Sequence, residues 1–159
     1  RFMKALVIYD SVSGNTRKIA EAIAANIEGC QATAIAVEAA NPTDLSDVRL
    51  MIIGSPSHGL RPAPSIMKFI ESIPVNGLDG INIASFDTRI VKENIKKLMQ
   101  RLLAETSDFA ARPIAEALRK KGGTLVLLPE PFFLEGEDGP LREGEAERAA
   151  LWGKLACHA

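Results

Sequence analysis

Short apolar runs alternate with helix-patterned stretches along the whole chain, and this alternation constrains the fold more than any other feature. Lys4–Tyr9 carries Ala-Leu-Val-Ile-Tyr, continuous rather than alternating, as in strands covered by helices on both faces. In Asn15–Glu28, Ile19, Ile23 and Ile27 recur every fourth residue and make the apolar stripe of a helix, which Gly29 is placed to stop. Gln31–Val37 reads as a second, weaker strand nearer an edge, and Asn41-Pro42-Thr43 opens a short helical turn. Leu50–Gly54 reads as the third strand. Ala63–Ser72 reads as a helix turning Ile66, Phe69, Ile70 and Ile73 inward. Ile81–Phe86 is the fourth strand. A helix built on Ile114 and Leu118, with Pro113 marking a break or the helix start, ends at Gly122-Gly123, and Thr124–Leu128 is the fifth strand. Glu145–Ala156 is a last helix with acidic residues in its first turn, where the helix dipole favours them, and with Trp152 expected in the core.

Strands alternating with helices predict a three-layer α/β fold, a doubly wound, five-stranded parallel sheet of order 2-1-3-4-5. One domain is expected over residues 3–159; Arg1 and Phe2 precede Met3 and are set aside. In such sheets a ligand sits beyond the carboxyl ends of the strands, at the switch point between strands one and three. The loops after Tyr9, Gly54 and Phe86 are therefore where chemistry is expected.

The chain's 159 residues suffice for one well-buried core. With 19 basic and 20 acidic residues the net charge is −1, which argues against nucleic acid or an anionic membrane as the main partner. No apolar run approaches the roughly 20 residues of a spanning helix, and Ala5–Tyr9 is too short for a secretory signal. Cys30 and Cys157 lie far apart and outside any metal-ligand spacing, which suits reduced thiols in a cytoplasmic protein.

The loop after strand one reads Asp10-Ser11-Val12-Ser13-Gly14-Asn15-Thr16 and leads directly into a helix. A helix N-terminus leaves N–H groups unpaired and carries partial positive charge, so it attracts an anion. Ser11, Ser13 and Thr16 add three hydroxyl donors, and Gly14 lets the backbone turn tightly around a ligand. The Gly-Lys-Ser/Thr ending of a P-loop is missing, and a single glycine does not make a dinucleotide fingerprint. The competing reading is a plain N-cap, which needs one such residue and no ligand.

Residues 11–16, Ser-Val-Ser-Gly-Asn-Thr, resemble the phosphate loop of flavodoxins, Ser/Thr-x-Ser/Thr-Gly-Asn-Thr. The resemblance implies FMN as cofactor, with Ser11, Ser13, Asn15 and Thr16 around its phosphate and Val12 and Gly14 completing the loop. It implies that Ser55, Pro56, Ser57, His58 and Gly59 run along one face of the flavin ring. His58 stacks there, relays a proton or is simply exposed; Gly59 either turns a peptide carbonyl toward flavin N5 or only shapes the turn. It further implies that Phe86, Asp87, Thr88 and Arg89 form a third loop at the pyrimidine edge. Backbone N–H groups there suit O2, Asp87 or Thr88 suits N3, and the Phe86 ring fits the core better than a stacking role. Two departures stand out. Neither of the later loops holds a tryptophan or tyrosine, and the near-neutral charge weakens electrostatic steering onto partners.

Residues 90–105 read as an inserted helix whose stripe, Val91, Ile95, Leu98 and Leu102, packs on its own domain, covers the flavin or meets a second copy. Phe132–Leu141, with Glu135, Glu137 and Asp138, reads as a solvated loop on the ligand edge or as a docking loop. The leading expectation is an electron carrier. It would work through its flavin with protein redox partners, a reductase and an acceptor, as a monomer or weak dimer, without catalytic residues or a metal of its own. An FMN-dependent NAD(P)H:quinone reductase or related oxidase is the second reading, and a cofactor-free scaffold or signalling domain the third, because one fold hosts many functions.

Overall fold

The computed structural model describes residues 3–57, 61–91 and 109–158. In order along the chain its elements are β1 (Lys4–Tyr9), α1 (Asn15–Ala24), β2 (Gln31–Ala36), a 3₁₀ turn (Val37–Ala39), β3 (Val48–Pro56) and α2 (Pro64–Glu71). After them come β4 (Asn82–Ile90), α3 (Ala111–Lys120), β5 (Thr124–Leu125), β6 (Glu130–Leu134) and α4 (Glu145–His158). The strands pair in parallel in the order β2-β1-β3-β4-β5, with β6 also on β4, so the expected doubly wound sheet is the one observed.

Each central strand is apolar on both sides because each side meets a helix layer. Ile8, Met51, Ile53 and Ile83 pack with Ile66, Phe69 and Ile70 of α2 and Ile114 and Leu118 of α3. Val7, Ile52, Ala84 and Phe86 pack on the other face with Ile19 and Ile23 of α1 and Ala149, Trp152 and Ala156 of α4. Phe86, Phe132 and Trp152 meet edge to face, with ring centroids 5.8–6.2 Å apart, in the geometry the ring quadrupoles favour.

Several boundaries differ from the sequence expectation. Helix α1 stops at Ala24, where Asn26 Nδ2 donates to the Ala22 carbonyl and closes the last turn. The helical turn expected from Asn41 lies earlier, at Val37–Ala39. Asn41 Oδ1 instead accepts from the Thr43 N–H and hydroxyl, an Asx-type turn. Strand β3 extends past both ends of Leu50–Gly54, and β4 continues through Asp87, Thr88 and Arg89, which the sequence reading placed in a loop. The fifth strand is broken. Asn82 pairs with Thr124 but Phe86 with Glu130, so the edge chain spends two extra residues at the break. Phe132 and Leu134, expected in a solvated loop, are strand residues with Phe132 wholly buried. Ile90 closes β4 rather than opening a helix, and from Lys92 to Glu105 that expected helix lies outside the described residues.

Candidate functional site

At the carboxyl edge of the sheet the chain leaves β1 through a braced loop. Asp10 N–H donates to the Gly54 carbonyl (3.3 Å), which ties the start of the loop to β3. Asp10 Oδ1 accepts from Ser11 N–H (3.0 Å), and its Oδ2 accepts from the Ser65 hydroxyl in the first turn of α2 (3.0 Å). The sequence reading gave neither Asp10 nor Ser65 a role. An aspartate before a serine is a weak local signal, and Ser65 carries none, since the bond spans 55 residues.

The loop then turns through Gly14, whose φ of 92° lies in the left-handed region. Ser11 Oγ accepts from the N–H of Gly14 (3.0 Å) and of Arg17 (3.4 Å). Ser13 Oγ accepts from Asn15 Nδ2 (2.9 Å). Both serine oxygens are thus bonded to protein N–H groups, and each hydroxyl proton is left to donate outward. Helix α1 has no acidic residue in its first turn, and its N-cap residue, Gly14, brings no side chain to cap it. Among the described residues the N–H groups of Asn15 and Thr16 have no protein acceptor. Two hydroxyls, two unpaired helix N–H groups and the positive end of a ten-residue helix together make a donor-rich end that suits an anion. A phosphate monoester fits that donor set, because it brings oxygen acceptors and negative charge.

Asn15 is committed differently. Its second amide proton goes to the carbonyl of Asp138 (3.0 Å), so Asn15 joins the loop after β1 to the loop after β6. Thr16 Oγ1 lies 2.8 Å from Thr88 Oγ1, and both residues are buried. Val12, at the tip, is 69% exposed.

The residues expected along the flavin ring are mostly engaged with the protein. Ser55 Oγ accepts from Ala63 N–H and donates to the Pro56 carbonyl, both at 2.8 Å, and so ties the chain after β3 to the start of α2. Ser57 N–H donates to the Thr88 carbonyl, and Ser57 Oγ accepts from Ala110 N–H. His58 and Gly59 lie outside the described residues. Asp87, wholly buried, accepts from Arg89 Nε (2.7 Å) and Nη2 (2.6 Å) and from Ala111 N–H (2.9 Å). The Arg89 guanidinium in turn lies 3.8 Å over the ring of Phe109. Phe86 is in the core, as expected. Period-two alternation explains this sorting: Ser85, Asp87 and Arg89 face α3, while Phe86 and Thr88 face α1. The structure therefore gathers Ser11, Ser13, Gly14, Asn15, Thr16 and Thr88 at one end of the edge, and Ser57, Asp87 and Arg89 around the start of α3. No helix among the described residues is long and apolar enough to cross a membrane.

The family model described as the flavodoxin domain matches residues 6–125. No curated protein matches the sequence. Among solved structures, the chain is similar to an archaeal flavodoxin at 22% identity and a TM-score of 0.74, covering 98% of this chain and 97% of that one. It is similar to oxidised Flavodoxin 1 from Bacillus cereus at 21% identity and a TM-score of 0.75, with the same coverage. It also resembles part of the rubredoxin oxygen:oxidoreductase of Desulfovibrio gigas at 19% identity and a TM-score of 0.73, covering 98% of this chain but 35% of that one.

Proposed function

The chain belongs to the flavodoxin domain family, and from that premise we propose that it binds FMN and passes electrons through it to and from protein redox partners. One observation carries the reading of the cofactor: residues 11–16 bring two hydroxyl protons and the unpaired N–H groups of Asn15 and Thr16 to the positive end of a helix. Such a surface favours a terminal phosphate and disfavours the unphosphorylated flavin, which has no charge to place there.

When bound, FMN supplies the electron-accepting and electron-donating chemistry. The protein's part is to bind, orient and shield. Ser11, Ser13 and the N–H groups of Asn15 and Thr16 hold the phosphate at the α1 N-terminus. Asp10, braced by Ser65, sets the start of that loop. Ser55 and Ser57 tie the end of β3 and the residue after it to the starts of α2 and α3. Asp87 and Arg89 are paired with each other, so they add no net charge at the carboxyl end of β4. The net charge of −1 leaves partner selection to contact shape more than to long-range steering.

Apoprotein titrated with FMN, riboflavin and FAD, followed by flavin fluorescence and the visible spectrum, tests this. Tight uptake of FMN with much weaker riboflavin binding is expected. Ser11→Ala removes a hydrogen bond to a charged acceptor, worth about 1.5–3 kcal/mol, and so weakens FMN but not riboflavin. Recovery of FAD, or no uptake of any flavin, overturns the reading. Rapid bleaching of the bound flavin by NADPH without a reductase would replace the carrier with an enzyme.

A further inference from the structure

Thr88 was expected at the ring end of the cofactor, yet its hydroxyl reaches the other end of the sheet edge. Thr88 Oγ1, in β4, lies 2.8 Å from Thr16 Oγ1 in the first turn of α1, across 72 residues of sequence. Each residue is 2% exposed. The distance is that of a well-formed O–H···O bond. Each hydroxyl has one proton, so one of the two donates to the other, and one proton remains to be placed.

We propose that Thr88 donates to Thr16, and that this bond aims the Thr16 proton into the phosphate cradle. The inference rests on the reading of the site as an FMN phosphate site. Three observations set the direction. First, Ser11 and Ser13 already follow the same rule: each accepts from a protein N–H, from Gly14 and from Asn15 Nδ2, and keeps its proton for the ligand. Second, Thr16 stands beside unpaired helix N–H groups, where an anion would provide an acceptor. Third, among the described residues Thr88 Oγ1 has no bonding partner other than Thr16, so a proton turned away from Thr16 would have no protein acceptor. With Thr88 as donor, both protons are used: one between the threonines and one on the ligand.

Thr88 is then a positioning residue. It does not touch the phosphate; it orients the group that does. The bond also crosses from the first helix to the fourth strand, so phosphate binding is coupled to the strand whose end borders the ring.

The test is the ratio of riboflavin to FMN dissociation constants, read by fluorescence quenching, for wild type, Thr88→Val, Thr88→Ser, Thr16→Val and the double valine variant, with thermal unfolding of each apoprotein. Valine keeps the shape of threonine and removes only the hydroxyl. Thr88→Val should lower the ratio about three- to tenfold by weakening FMN alone, and Thr88→Ser should restore it. The double variant should lose no more than Thr16→Val alone, because Thr88 acts only through Thr16. Unchanged FMN affinity in Thr88→Val, an equal loss for riboflavin, or additive losses in the double variant would each overturn the proposal. A wild-type protein that does not prefer FMN to riboflavin would instead overturn the underlying reading of the site.

Discussion

Gly54 lies flat against the ring of Phe86: a Cβ at position 54 would stand 2.0 Å from Cζ and within 2.4 Å of both Cε atoms. Phe86 has no room to retreat, because it is wholly buried against Phe132 and Trp152. Glycine is therefore required here for close approach between neighbouring strands β3 and β4 and not for an unusual backbone angle. Gly54→Ala should cost about 1–3 kcal/mol by overpacking, a drop in Tm of about 2–12 °C for a chain of this size. Calorimetry of the apoprotein checks it, and an unchanged Tm would show that the aromatic trio repacks freely. Since the Gly54 carbonyl also receives Asp10 N–H, FMN affinity should fall in the same variant.

Gly14 presents the opposite case. A Cβ there meets nothing within 4 Å, but φ is +92°. Gly14→Ala should then cost about 1–2 kcal/mol from backbone conformation alone. Gly14→Asn should cost less, since asparagine tolerates the left-handed region better. Urea midpoints of the two variants give the comparison; equal losses would point to some cause other than φ.

Asp87→Asn separates a structural role from a cofactor role. The Asp87 carboxylate is bonded to Arg89 and to the first N–H of α3. Breaking a fully buried ion pair costs about 3–5 kcal/mol, and less is expected here because the Arg89 side chain is 21% exposed. The loss should be the same in apoprotein and in FMN-loaded protein, measured by unfolding of each. A loss confined to the loaded form would place Asp87 on the flavin.

The Glu145–Arg148 pair predicts a pH response. Burial by itself would raise the Glu145 pKa. The Arg148 hydrogen bond, the N–H of Phe133 and the charges of Arg148 and Arg142 outweigh it and hold the carboxyl below the ordinary 4.5. A pKa depressed by folding contributes stability that is present above the unfolded value and lost as pH falls through the lower folded value. Wild type should therefore lose this contribution only as pH falls below about 4.5. In Arg148→Met the burial effect loses its main opponent and the depression shrinks or reverses. The variant's deficit relative to wild type should then be larger at pH 7 than at pH 3.5. Denaturant unfolding at the two pH values checks this; a deficit independent of pH would mean that Arg148 acts through its packing over the Phe132 ring and its bond to the Pro131 carbonyl.

Much of the architecture is carried by local pattern. The apolar runs of β1 and β3, the four-residue spacing of Ile19 and Ile23, and the donor-rich residues 11–16 leading into α1 can each be read within a window of a dozen residues, and the elements form there. Periodicity and helix-end chemistry are short-range properties, and no distant partner is needed to recognise them.

The second half of β4 and its neighbour β6 depended on tertiary structure. Asp87, Thr88 and Arg89 look like a loop because buried strands rarely carry such residues. Asp87 and Thr88 can be buried, and Arg89 partly so, because Asp87 finds Ala111, Thr88 finds Thr16 and Ser57, and Arg89 finds Phe109. Phe132 reads as part of an acidic, proline-flanked loop until β4 supplies the parallel ladder on which Glu130–Leu134 pairs. A polar group is stable in the core only when its partner is present, and a parallel strand forms only beside its neighbour. Since those partners arrive from 20 to 72 residues away, the composition of a segment alone could name the residues here but not their roles.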